Sequence, residues 1–391
     1  ENWHPDIIIW WSPEFNTLPD LAEDSPYPIV AAVSDWNLNF NSLRYNLKRF
    51  DWIFTDLAGV DLLNSAGHNN VSYWPVLGYD AKIHRKMANL EKIYDVTFIG
   101  NLNHNVQKDR SYWLWLLTKL SEKYNVKILT GIFGEEYPKV LNQSKIVFNR
   151  SIRGELNMRA YETLACGSLL FMEEENLEVR NVFQDKIHCV YYNENNLESL
   201  LDYYLANPDE AKEISEAGYQ KVKEEDYLNH LKKLLELIQK EKIIDNCNKF
   251  RSFSNFSEAD KLYYHGLNGL YGYSKGSMQL ATKAFNKALR LEPGNNKYKN
   301  AMGVLFAISA CTINDDKVKA NLLHESFKLL SEVIENEPSE TMPLLSRANI
   351  YLLFGQNNIA GNELRKIIGL LESGKTGEIK YTELFFPLGY D

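Results

Sequence analysis

The sequence is short of cysteine, of positive charge and of long apolar runs, and each shortage closes a class of function. Its four cysteines (Cys166, Cys189, Cys247 and Cys311) lie far apart and form no C-x-x-C pair. Neither a zinc ribbon nor a disulfide framework is expected, and reduced thiols in a cytoplasmic chain are the simplest reading. The histidines form no H-x-x-x-H or H-E-x-x-H pattern, so no metal site is expected. Lys and Arg number 43 against 52 Asp and Glu, a net charge of −9. A nucleic-acid partner would call for a basic footprint and is not expected. The apolar runs are short, as in Ile7 to Trp11 and Leu169 to Met172, far from the ~20 residues of a membrane span. The chain begins at Glu1, with no basic n-region or apolar h-region behind it. It reads as trimmed, and a targeting signal upstream would leave no trace in it.

What the sequence has is material for cores. Hydrophobic residues make up 45% and aromatics 13% of 391 residues. Global disorder is excluded, and at roughly 100–200 residues per domain two or three domains are expected. Residues 1–243 alternate short β-rich runs with helical patterns. Ile7–Trp11, Ile29–Val33, Trp52–Thr55 and Val71–Val76 read as strands, with a helix over Asn41–Arg49. A second series has strands at Asp95–Ile99, Val126–Leu129, Lys145–Phe148, Ser168–Met172 and His188–Tyr192. Its helices fall near 107–123, 135–143, 156–166 and 177–184. Such alternation predicts parallel sheets covered on both faces, here as two Rossmann-like units at 1–85 and 86–243. The first series has four strands and no Gly-rich first turn, so missing upstream strands or a reduced half-domain is expected.

Residues 196–243 read as helix only, and 244–257, without a sustained apolar period, read as a linker. From 258 to 391 a weak helical repeat takes over. Ala281, Phe285, Ala288 and Pro293 have the spacing of the second half of a tetratricopeptide repeat, and Gly269 stands where close helix packing needs a small residue. A second copy runs through Ala348, Tyr351, Ala360, Leu364 and Ile367. Gly303 and Pro338 suggest a middle repeat with a longer loop near 312–318. A plain helical bundle is the competing reading. The fold class expected is therefore α/β followed by all-α.

Arg150–Glu175 is the most informative segment. A strand ending at Phe148 leads into a loop with Arg150, Arg153 and Gly154, then a helix to Cys166 with Gly167 as its C-cap. On a helix, Glu155, Arg159 and Glu162 share a narrow face, while Leu156, Ala160 and Leu164 are free to pack on a sheet. An exposed ion-pair ladder would show the same stripe. Its place argues for a ligand instead, because open α/β sheets bind ligands at the carboxyl ends of their strands.

The run Glu162-Thr-Leu-Ala-Cys-Gly167 resembles the helix end of GT-B glycosyltransferases. With Arg159 it is closer to the spore-maturation (CgeB-like) group. Other landmarks of that group recur in order at Tyr73–Asp80, Asp95–Asn101, Arg110 and Leu201–Pro208. The resemblance spans about residues 5–240. It implies a nucleotide-sugar donor, UDP-linked by preference, bound mainly by the second unit, with no permanently bound cofactor. Glu162 matches the family residue that takes the ribose diol. Arg110, Arg153 and Arg159 are candidates for the diphosphate, since a guanidinium offers a fork of donors that stays charged. Gly100 and Asn101 would let backbone approach the ligand, and Gly167 completes the donor-side set.

The resemblance also implies a metal-independent transfer, consistent with the lack of a D-x-D triplet. One departure stands out. Retaining members often separate two glutamates by seven residues, whereas Glu155 and Glu162 are separated by six. The spacing fixes neither a retaining nor an inverting course. Catalytic candidates are Glu155 and Asp35, which follows a buried-looking strand. Asp80 and His84 are alternatives to Asp35, and Trp10, Trp11, Trp36 and Trp74 are candidates for sugar stacking or for core. The favoured expectation is a glycosyltransferase acting on a polypeptide held by the helical repeats, such as a bacterial surface or coat protein. A scaffold with a degenerate transferase domain and a nucleotide-sugar epimerase are the alternatives.

Overall fold

The computed structural model describes residues 4–376 apart from 17, 20, 21, 39, 76, 105, 106 and 272–275. In chain order the elements begin with β1 (Ile8–Trp11), β2 (Ile29–Ala32), α1 (Phe40–Asn46), β3 (Trp52–Thr55), α2 (Leu57–Ser65) and β4 (Val71–Tyr73). Next come β5 (Tyr94–Ile99), α3 (Lys108–Lys119), β6 (Val126–Leu129), α4 (Glu136–Asn142), β7 (Ser144–Phe148), α5 (Met158–Ala165), β8 (Leu169–Glu173), α6 (Val179–Val182) and β9 (Val190–Tyr192). Helices complete the chain: α7 (Leu197–Ala206), α8 (Pro208–Val222), α9 (Tyr227–Lys240), α10 (Glu258–Tyr271), α11 (Ser277–Leu291), α12 (Asn296–Thr312), α13 (Asp316–Asn336), α14 (Thr341–Leu353) and α15 (Asn357–Glu372). Every strand read from the sequence is present within two or three residues. The end of the fourth, Val76, lies outside the described residues. The chain divides into two units, Glu1–Ile53 with Asn246–Asp391, and Phe54–Asp245.

The second unit is built on a five-stranded sheet of order β6-β5-β7-β8-β9. All four pairings are parallel, with Val96 opposite both Val126 and Ile146. A strand buried on both faces needs apolar residues in both alternating sets. One set, Val96, Phe98, Ile146, Phe148, Phe171 and Tyr192, packs with Trp113 and Leu117 of α3 and Leu201 of α7. The other set faces the opposite layer, where Leu170 and Met172 meet Leu156, Ala160 and Leu164. Burying each such large side chain contributes about 1.5–3 kcal/mol. The chain runs from β5 outward to β6, then crosses back past β5 to β7 and on to β8 in the other direction, which puts a topological switch point between the carboxyl ends of β5 and β7.

In the first unit β1 and β2 pair in parallel, Ile8 opposite Ile29. The C-terminal helices pack as successive pairs, α10 with α11, α12 with α13 and α14 with α15. A Cβ on Gly269 would lie 2.8 Å from the Ser277 carbonyl oxygen and 3.0 Å from the Ala281 amide, so the small residue is required by the crossing. Ala281, Phe285, Ala288, Ala348 and Ala360 are fully buried. The longer loop expected near 312–318 is not there. α12 runs to Thr312 and α13 starts at Asp316, because the Asp315 carboxylate accepts from the Lys317 and Val318 amides and caps the helix at once. The expected linker is also anchored. Arg251 forms an ion pair with Asp51 at 2.5 Å, both nearly fully buried, and Phe253 is wholly inside the core.

Candidate functional site

The residues at the switch point are set by two loops and a helix. β5 ends at Ile99 and is followed by Gly100 and Asn101, and β7 ends at Phe148 and is followed by Asn149–Glu155. α5 then brings Arg159 and Glu162 back towards both. Arg159 Nε donates to the Ile99 carbonyl at 2.5 Å and Nη1 to Asn149 Oδ1 at 2.8 Å, and its guanidinium lies 4.4 Å from the Phe98 ring centre. Burial lowers its pKa, yet no ordinary pH removes a proton from it. A Cβ on Gly100 would come within 2.3 Å of Arg159 Nη2, so glycine is the residue that leaves room for this side chain.

Arg110, in the first turn of α3, approaches the same place. Its Nη1 donates to the Asn101 carbonyl at 3.2 Å and its Nη2 to the Arg150 carbonyl at 3.0 Å. Nε is buried with no hydrogen-bond partner among the described residues. Burial, then the neighbouring positive charge of Arg159, pulls its pKa down to about 9. Two partly desolvated guanidiniums side by side could receive an anion.

Glu162 is 5% exposed in the middle of α5. The Tyr137 hydroxyl donates to its Oε2 at 2.6 Å, and His84 Nε2 lies 3.4 Å from its Oε1. Burial first, and then the Glu162 charge, holds the Tyr137 hydroxyl well above the usual phenol range, so it stays a donor. Tyr137 carried no sequence signal, because the contact joins α4 to α5 across the fold.

The other expected site residues have contacts of their own. Glu155 lies before α5, not on it, because Asn157 is extended (φ −77°, ψ 166°) and the helix begins at Met158. The expected helical stripe is thus only Arg159 and Glu162. The Glu155 carboxylate accepts from the Arg153 amide at 2.7 Å and the Ile152 amide at 3.2 Å, which folds the loop upon itself. Arg153 is paired with Asp56 at 3.2 Å, with both side chains buried, so its charge is already matched. Gly167, at φ +73°, ends α5: its amide donates to the Leu164 carbonyl and that of Ser168 to Thr163. Arg150 pairs with Glu175 and lies over Trp113. Trp74 is core, 1% exposed, and donates to the His230 carbonyl.

Asp35 belongs to the first unit and is half-buried after β2. Its amide and that of Ser34 donate to Glu14 Oε1, each at 2.9 Å. Burial raises the pKa of Glu14, a carboxylate the sequence did not single out. Glu173, at the end of β8, was missed too. It is 1% exposed, accepts from the Ser151 amide at 2.9 Å, and burial raises its pKa. Among the described residues no group of three or more His, Cys, Asp or Glu is placed to hold a metal ion. No described helix is long and apolar enough to cross a membrane.

A family model described as glycosyl transferase-like matches residues 81–236. That span holds the five-stranded sheet, Arg110, Arg159 and Glu162. No curated protein matches the chain. Among solved structures it is similar to Anabaena HepE in complex with UDP-glucose, at 12% identity over 55% of this chain and 72% of that one, with a TM-score of 0.41. It is similar to sucrose-phosphate synthase from Thermosynechococcus elongatus at 11% identity over 60% and 73%, TM-score 0.44. A third is the pneumococcal O-GlcNAc transferase GtfA in complex with UDP and GlcNAc, at 10% identity over 56% and 54%, TM-score 0.40.

Proposed function

We propose that the chain is a glycosyltransferase of the GT-B kind that moves a sugar from a nucleoside diphosphate donor, UDP-linked by preference, to a polypeptide. The observation that carries the reading is the meeting of Arg110, Arg159 and Glu162 at the β5–β7 switch point, inside the span that matches the glycosyl transferase-like model. The two guanidiniums would take the diphosphate and steady the charge that builds on it as the sugar leaves, which a metal would otherwise do. Glu162 would take the ribose diol. Phe133, 81% exposed between the left-handed Gly131 and Gly134 after β6, is suited to cover a base. Asp35 is the proposed acceptor base for an inverting course. The Glu155 carboxylate shapes the loop that presents Arg159.

In this reading residues 1–85 form the acceptor-side unit, 86–243 the donor-side unit, 244–257 the linker and 258–391 a tetratricopeptide-like acceptor platform, in a cytoplasmic enzyme of the CgeB-like group. A groove of about 660 Å³ between α13 and α14 supports the last assignment, lined by His324, Phe327, Lys328, Ser331, Tyr351 and Phe354. Incubation with a panel of nucleotide sugars and a polypeptide acceptor is expected to release one nucleoside diphosphate and add one sugar mass to the polypeptide. Phe354→Ala with Lys328→Ala is expected to lower transfer to the polypeptide several-fold while donor hydrolysis persists. No turnover of any donor, with polypeptide still bound through the groove, would favour a scaffold instead.

A further inference from the structure

Two side chains approach the Glu162 carboxylate from different elements. Tyr137, from the first turn of α4, places its hydroxyl on Oε2 at 2.6 Å. His84 comes from the turn after β4, where its amide donates to the Asp80 carbonyl at 2.8 Å, and its Nε2 sits 3.4 Å from Oε1. The two rings brace each other edge to face, 5.8 Å between centres at 84°. His84 is 9% exposed, and its Nδ1 is buried with no hydrogen-bond partner among the described residues. A buried orphan nitrogen is costly unless something completes it.

A carboxylate has about four lone-pair directions. With the Tyr137 hydroxyl bonded to Oε2 and the His84 ring 3.4 Å from Oε1, each oxygen keeps a direction for a ligand, which suits two neighbouring hydroxyls better than a lone one. The geometry points to His84 and Tyr137 as positioning residues that turn Glu162 into a selector for ribose over 2′-deoxyribose in the donor nucleotide. This rests on the donor reading given above. A freely rotating glutamate would accept from whichever hydroxyl was present and discriminate weakly. A braced one loses a bond outright when the 2′-hydroxyl is missing, and hydrogen bonds to charged groups are the strong ones. No step of bond making is assigned to either residue.

The test is calorimetric titration with UDP, GDP and ADP, then with the 2′-deoxy counterpart of whichever binds, on wild type, Tyr137→Phe, His84→Ala and His84→Gln. Melting temperatures check that each variant is folded. Wild type is expected to prefer the ribonucleotide by about tenfold or more. Tyr137→Phe and His84→Ala are expected to bring that ratio below about threefold, mainly by weakening the ribonucleotide. His84→Gln, which keeps a donor N–H, should recover part of it. Variants that weaken both nucleotides equally and keep the wild-type ratio would overturn the proposal, as would a wild type that binds both sugars alike. In either case the donor reading survives. A wild type that binds no nucleoside diphosphate sinks both.

Discussion

Arg159 shows how much of the site depends on one residue having no side chain. Its Nε and Nη1 are committed to the Ile99 carbonyl and Asn149, and its Nη2 lies against Gly100. Gly100→Ala would put a methyl group 2.3 Å from Nη2 and push the guanidinium off its two acceptors. The expected outcome is at least a tenfold loss of nucleoside diphosphate affinity with a melting temperature within a few degrees of wild type, measured by calorimetry and thermal melts. Arg110 was singled out by a family resemblance and Arg159 and Glu162 by that resemblance and a shared helix face, and the structure brings Arg159 and Arg110 to the same strand ends. Arg153 looked the same and is spent on Asp56, 97 residues away in the chain. Nothing local distinguishes a charge matched by a distant partner from one left for a ligand. Tyr137 and His84 were invisible as partners of Glu162 for that reason.

At the scale of elements, strand positions followed directly from β-branched and aromatic runs, since a strand buried on both faces has little freedom in composition. Helix starts were less legible. α5 begins at Met158 because the preceding loop is tied down by carboxylates, Glu155 on the Ile152 and Arg153 amides and Glu178 on Leu156. Glu178 also accepts from the amide of Leu57, the first residue of α2, at 2.9 Å, so one side chain ties that helix to the loop before α5.

Burial pushes the Glu178 carboxyl from its ordinary 4.5 up to about 7. Between those values the folded chain holds a proton that the unfolded chain has released. Stability from this group is therefore full below about pH 4.5 and falls as pH rises through 7, by on the order of 3 kcal/mol. Glu173 and Glu14, also raised by burial, act in the same direction, whereas the lowered Asp95 and Glu225 titrate below this window. Urea midpoints are expected to fall from pH 5 to pH 8, and the slope should flatten in Glu178→Gln. A flat wild-type profile would contradict this.

For the whole molecule, composition was enough to expect several cores, strand–helix alternation to expect parallel α/β structure, and the repeat pattern to expect a helical C-terminal region. It was not enough to see where the units divide. The breaks at Ile53 and at Asn246 fall inside β3 and inside the expected linker, and the Arg251–Asp51 ion pair ties chain segments 200 residues apart. Such a tie depends on two buried charges finding each other, and no periodicity reports it.

The carboxylate and two guanidiniums of the second unit can be probed by calorimetric titration of UDP and GDP into wild type and Glu162→Ala. Saturable binding of one nucleoside diphosphate to wild type is expected, weakened at least tenfold in the variant while the melting temperature holds. A wild type that binds neither, or a variant that binds as tightly as wild type, would contradict it.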